Sequence, residues 1–253
     1  MPAAQMPVST SAPTPAPIAA PSQPDLPPVL ADQTVMSLLK TYQLLPHLWR
    51  ELAIDRAIAP FGCTDAEADV VRQSFFAQQG MPEQQWLEAQ GVDLEEVMAP
   101  LRRGVRIEKF KQATWGHTLE SYFLQRQPQL DQVIYSMIQH SDSDLITELY
   151  FRLQEGEATF AELAAAYSQG LAGQTRGMMG PVELGDLHPR LATLFRQSQS
   201  RQVVKTWVGD WYILAQIEVK IPAQLDAQMR QRLLDERYAN WLQQAINQPA
   251  AVV

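Results

Sequence analysis

Apolar residues recur at helical spacing over the first half of the chain. Val35, Leu38, Leu39, Tyr42 and Leu45 follow the i, i+3, i+4 rule and predict a helix that Pro46 interrupts. A second helix over about Leu48 to Ala57 carries Leu48, Trp49, Leu52 and Ile54, with Ile58 just beyond, before the stop at Pro60-Phe61-Gly62. Thr64-Asp65-Ala66-Glu67 has the form of a capping box, in which Thr64 accepts from the backbone and Glu67 reaches back. The helix it opens presents Ala68, Val71, Phe75 and Phe76 and stops at Gly80. Pro82 suits a first helical position, so a short helix with Trp86 and Leu87 inward runs to Gly91. Asp93 caps a longer helix through about Ala113, with Val97, Leu101, Val105, Ile107 and Phe110 on its apolar side; Pro100 and Gly104 stand against its continuity. A further helix, Thr118 to Gln127, is stopped by Pro128.

The period then changes. Leu130 to Gln139 alternates and is rich in β-branched residues, which predicts a strand. Ser143-Asp144 starts a helix with Leu145, Ile146, Leu149, Tyr150 and Leu153 along one side and Gly156 as its stop. Thr159 caps the next, which ends at Gly170; a glycine-marked strand, a short helix and two closing strands follow, up to Val219. Leu225 to Ile246 is helical again, with Met229, Leu233, Leu234, Tyr238, Trp241 and Leu242 on its apolar side.

Composition narrows the function classes. The chain has 253 residues, 46% of them hydrophobic, with a net charge of −8 and a pI near 5.0; that supports a real core and argues against a nucleic-acid partner. Cys63 is the one cysteine and the four histidines (His47, His117, His140, His188) are scattered, so neither a disulfide nor a zinc cluster is expected, and no cofactor. No apolar run reaches the roughly 18 residues of a transmembrane helix, so no membrane insertion is expected. Half of the 18 prolines precede Val29, and residues 1–32 read as a disordered, partly polyproline arm. The first basic residue is Lys40 and prolines break every apolar run before it, which is unlike a signal peptide; the expected location is cytoplasmic. Arg102, Arg106 and Lys109 share one helix face, read as solvated, with an anionic partner as the alternative.

Four stretches of the second half resemble the parvulin (PpiC/rotamase) family: Tyr135-Ser136-Met137-Ile138; Thr159-Phe160-Ala161-Glu162-Leu163-Ala164 with Tyr167-Ser168; Arg176 to Leu191, with its interval from Gly180 to Pro189; and Val203 to Ile213. The helices of about Val35 to Arg126, with the C-terminal helix, resemble the chaperone region of the SurA/PrsA group. The resemblance implies an α+β fold, in which a SurA-like helical domain is joined to a parvulin-like domain with a small antiparallel sheet and surrounding helices. The division it implies is an arm at 1–32, a helical domain at 33–128, the parvulin-like domain at 129–221 and a helix at 222–247 that packs back on the helical domain.

It also implies an activity, peptidyl-prolyl cis-trans isomerisation, on unfolded or proline-containing polypeptide clients. Secretion or peptide-maturation machinery is a further implied partner. Rotation about the peptide bond faces a barrier of about 18–20 kcal/mol, and catalysis needs an apolar, dry pocket with groups that favour the twisted amide, without nucleophile or metal. By the resemblance, the family's first histidine falls on Ser136, the candidate catalytic residue, and the histidine of the last strand on Trp211. The acidic or cysteine position falls on Met178, and the residues walling the proline pocket fall on Leu187 and Leu191. Met178, Leu187, Leu191 and Trp211 are therefore the candidate substrate-binding residues. His140 and His188 lie off the family positions and read as surface residues. With the polar groups replaced, weak isomerisation is expected; the alternative is a non-catalytic holdase or escort for peptide maturation or secretion.

Overall fold

The computed structural model describes residues 32–247; the expected arm falls outside them apart from Asp32, which opens the first helix. Residues 32–48 contain α1 (Asp32–Thr41) and the first residues of α2 (Leu45–Ile58). Pro46 is the second residue of α2 and does not break a helix. Its missing N–H falls in the first turn, where no intrahelical acceptor waits for it.

From residue 49 onward the sequence signals are realised in order. In α3 (Asp65–Gln79) the Thr64 N–H donates to Glu67 Oε2 at 2.8 Å and the Glu67 N–H donates to Thr64 Oγ1 at 3.3 Å, the reciprocal capping box. Pro82 precedes α4 (Glu83–Gln90) by one residue and occupies its N-cap, where φ −58° suits the ring. Phe75, Phe76 and Trp86 close the α3–α4 corner edge to face, with ring centroids 5.1 to 5.8 Å apart. Helix α5 (Leu94–Trp115) continues through Pro100 and Gly104. Burial of Val97 and Met98 before them, and of Lys111 and Trp115 after them, overrides the local propensity.

The basic face of α5 is structural. Arg106 donates to the carbonyls of Phe61 (2.8 Å) and Ile58 (3.1 Å), Lys109 donates to the Gly62 carbonyl and pairs with Glu67 at 2.7 Å, and Arg102 pairs with Glu95. The Arg106 and Lys109 contacts satisfy the α2–α3 connection, so for these two the solvated-face expectation gives way to a packing role, while the Arg102–Glu95 pair stays exposed within α5. After a 3₁₀ turn (Gly116–Thr118), α6 runs from Leu119 to Leu130 and includes Pro128 in its last turn.

The sheet is antiparallel, in the order β2-β1-β4-β3, from β1 (Gln132–His140), β2 (Met178–Glu183), β3 (Val203–Val208) and β4 (Trp211–Ile221). Around it lie α7 (Ser143–Glu155), α8 (Phe160–Tyr167), the single turn α9 (Leu171–Gln174) and α10 (Pro189–Gln197). The fold is α+β. Helix α8 stops at Tyr167, short of the expected Gly170, because Ser168 and Gln169 turn to β1: Gln139 N–H donates to Ser168 Oγ and Gln169 N–H to the Gln139 carbonyl. Two glycines mark close approaches. Gly180 has φ +97° and a Cβ there would lie 2.5 Å from the Val133 carbonyl oxygen; Gly177 has φ +86° and would meet Ala164 at 3.0 Å.

Helix α11 (Ala227–Asn247) buries Leu233 and Leu234 among Trp115, Leu119, Phe123 and Leu130, and Leu242 among Ile54 and Ile58. The Lys111 ammonium, nearly buried, spans Glu108 and Asp235 at 2.6 Å each, which ties α5 to α11.

Candidate functional site

Each face of the sheet has its own core. Tyr135, Met137, Ile213, Ala215 and Ile217 point to one face and pack against Leu191 and Phe195 of α10 and against Ala172. Ile138 and Leu214 point to the other, against Ile146, Leu149, Phe160 and Leu163 of α7 and α8. Side chains of a strand alternate, so β1 presents Tyr135 and Met137 to the α10 face, and Ser136 and Ile138 to the α7/α8 face.

That alternation divides the candidate residues. Leu191 (6% exposed) and half-buried Leu187 lie on the α10 face. Trp211 pairs with Val208, which packs there, and has the parity of Ile213; 40% exposed, it stands at the open end of that face. Ser136 and its register partner Met178 lie on the opposite side. Ser136 is buried and donates its hydroxyl to Glu218 at 2.6 Å, with the Gln216 amide on the same carboxylate at 3.3 Å. Met178 is 52% exposed. The structure thus brings Leu187, Leu191 and Trp211 to one face and leaves Ser136 and Met178 off it.

Two residues missed in the sequence take their places. Tyr135 is 4% exposed and its ring centroid lies 5.0 Å from that of Phe195; Met179, its partner in β2, packs against the same core. Burial pushes the Tyr135 phenol above its ordinary pKa, so the group stays protonated and acts only as a neutral hydroxyl. Counting alternate residues from Val133 along β1 finds Tyr135; Met179 needs the register of β2, where an irregularity opposite Val133–Tyr135 adds one residue. His140 and His188 serve locally. His140 Nδ1 accepts from the Asp142 N–H at 3.0 Å, and His188 caps α10 by accepting from the Arg190 N–H at 3.3 Å. Arg190 in turn stacks 4.1 Å over exposed Trp207, which anchors the start of α10 to β3. The α10 face therefore offers apolar walls and one phenol, with its depth filled by side chains.

A second concavity lies on the helices. Phe61, Val71, Pro100, Leu101, Gly104 and Val105 are among the residues lining an open apolar groove of about 820 Å³ between α3 and α5. Glu67 and Lys109, already paired, stand at its rim. Glu67 is held down to about pKa 2, first by the Lys109 hydrogen bond and then by those from Thr64.

Residues 128–209 match the family model of the rotamase, PPIC-type PPIase domain. No curated protein matches the chain. A peptidylprolyl isomerase (PrsA) of Bacillus cereus superposes with a TM-score of 0.52 at 16% identity, over 88% of this chain and 89% of that one; the likeness is one of fold. PrsA of Bacillus anthracis shares 20% identity over 79% and 94% of the two chains with a TM-score of 0.46. A SurA-like chaperone structure from Campylobacter jejuni, from a pair that includes a periplasmic protein, covers 87% of this chain and 91% of its own at 13% identity with a TM-score of 0.37. The matching PrsA and SurA-like structures are those of extracytoplasmic or periplasmic chaperones, and the cytoplasmic expectation does not stand. It rested on the pattern of residues 1–32, and the lack of a leader pattern there fixes no compartment. Residues 128–209 thus carry the match to a parvulin-type (PPIC-type PPIase) domain, within a chain that has the α+β fold of the Bacillus cereus PrsA structure.

Proposed function

We propose that the chain is a polypeptide-binding chaperone of parvulin type whose prolyl isomerisation is slow. The observation that carries this is the filled α10 face: Tyr135 and Leu191 are buried there, with Tyr135 against Phe195, and Trp211 stands at its rim. An apolar rim grips a proline ring, but little in that set favours a twisted amide over a planar one. Its substrate-facing residues are Leu187, Leu191 and Trp211, joined by Tyr135 and Met179. Ser136, bound to Glu218 on the other face, has no part in the reaction, and exposed Met178 lies with it.

The apolar groove between α3 and α5 supports binding of unfolded chain independently of turnover. The division into a helical part (33–128 with 222–247) and an inserted domain (129–221) belongs to the same reading, supported by the burial of Leu233 and Leu234 among Trp115 and Leu119. So does the view that the clients are polypeptides bound for export or maturation, in keeping with the company of PrsA-like folds.

Two assays on one preparation test the reading. Aggregation of an unfolded client should be suppressed at stoichiometric protein. In NMR exchange spectroscopy, an Ala-Leu-Pro-Phe peptide should show little acceleration of cis-trans exchange. Robust acceleration overturns the slow-catalysis half, and failure to bind any unfolded chain overturns the whole.

A further inference from the structure

The apolar stripe of α1 is left without a cover. Val35, Leu38 and Leu39, with Tyr42 just past the helix end, recur at i, i+3, i+4 and i+7, yet none joins a buried core among the described residues. Val35 is 36% exposed and Tyr42 67%. A helix of ten residues is marginal in water by itself and takes its stability from packing of its apolar face. Tyr42, Gln43 and Leu44 link α1 to α2, and Gln43 holds φ +56°, a left-handed conformation that costs a residue with a Cβ. A short link under strain favours exchange of the element it carries between copies.

The α3–α5 groove matches that stripe in length and in kind. Its lining residues on α5 run from Pro100 to Ala113, about 20 Å of helix, and α1 spans about 15 Å. Gly104 leaves the middle of the run open, since a Cβ there would meet nothing within 4 Å. Glu67 and Lys109 neutralise each other at the rim, and Glu108 is engaged by Lys111, so the groove suits an occupant with an uncharged face. The stripe is uncharged, and Lys40 lies off it. We propose that α1 of a second copy lies in the α3–α5 groove, and that two copies exchange α1 reciprocally. Each chain carries one stripe and one groove, so the exchange closes as a two-fold dimer with both grooves filled. A client chain then has to displace α1, which makes the dimer the resting form. This competition rests on the groove being the client site; the exchange itself does not.

The test is sedimentation equilibrium of the full chain, 28.5 kDa as a monomer, over a wide concentration range. Association to twice that mass is expected. A double variant, Val35→Asp with Tyr42→Asp, charges the stripe, and Gly104→Leu fills the groove; all three positions are exposed, and circular dichroism checks that both variants fold. Each variant should weaken dimerisation by about tenfold or more. An equimolar mixture of the two keeps one intact α1 and one intact groove, so it should form mixed dimers more tightly than either variant dimerises alone. Excess unfolded client should return the parent dimer to monomer. A monomer at every concentration, a dimer that either variant leaves unchanged, or a mixture no tighter than its parts overturns the exchange. A dimer that bound client leaves intact overturns the competition. Client capture by a strict monomer defeats this inference and spares the proposed function, and an exchanged dimer that captures no client does the reverse.

Discussion

Tyr135 packs its ring 5.0 Å from that of Phe195, while the next residue, Ser136, turns its hydroxyl through the sheet to Glu218. One step along a strand thus separates the substrate-facing position from a structural one. Ser136→Ala is expected to leave both peptide binding and any residual isomerisation unchanged, at a stability cost of about 1 kcal/mol for one hydrogen bond. Trp211→Ala should weaken binding of a proline peptide, because it removes the exposed wall of the α10 face. Loss of activity in the serine variant, with the tryptophan variant unaffected, would reverse the assignment of faces.

The groove gives a sharper separation of binding from stability. A Cβ on Gly104 meets nothing within 4 Å, so Gly104→Leu fills the groove without a backbone clash. Replacing a helical glycine should stabilise the protein by about 0.5–1 kcal/mol. Client capture, read as suppression of aggregation, should fall all the same. Unimpaired capture in a folded, more stable variant would place the client elsewhere.

Glu67 predicts an acid limb of stability. Its carboxyl is lowered from an ordinary 4.5 to about 2 by Lys109 and Thr64, so the folded form binds its proton less readily than the unfolded form. The contribution is fully present above pH 4.5, and it drains away as the pH falls from there through 2. Circular dichroism across that window should show Glu67→Gln losing less stability on acidification than the parent. Parallel curves would count against the linkage.

Gly180→Ala is expected to destabilise by about 1–3 kcal/mol, since φ is +97° and the new Cβ would sit 2.5 Å from the Val133 carbonyl oxygen. Gly209, at φ +56° with nothing within 4 Å, carries the backbone strain without the clash; its alanine variant should cost less in urea unfolding.

Leu233 and Leu234 are fully buried, and either one changed to alanine should cost about 2–5 kcal/mol. A smaller change in denaturant midpoint at unchanged slope would mean that α11 contributes less to the core than its burial implies.

Much of this architecture was legible because its causes are local. The boxes Thr64–Glu67 and Thr159–Glu162 are set by residues three apart, and Gly80, Gly91 and Gly156 end helices by adopting φ near +70°. Pro46 and Pro128 lie inside helices that the sequence pattern ends at them, for the complementary reason. A proline is judged from sequence by the bond it removes, but its real cost depends on its turn of the helix and on what the flanking residues bury.

The sequence by itself determined the order of elements, their caps, the glycines at close approaches and the apolar character of the candidate site, since each depends on residue type at short separation. Tertiary structure alone decided which face Ser136 occupies: Val133, Tyr135 and Met137 alternate along β1 towards one core, and only the packing of α10 and of α7/α8 gives each face its identity. It alone turned Arg106 and Lys109 of α5 into a clamp on the α2–α3 connection.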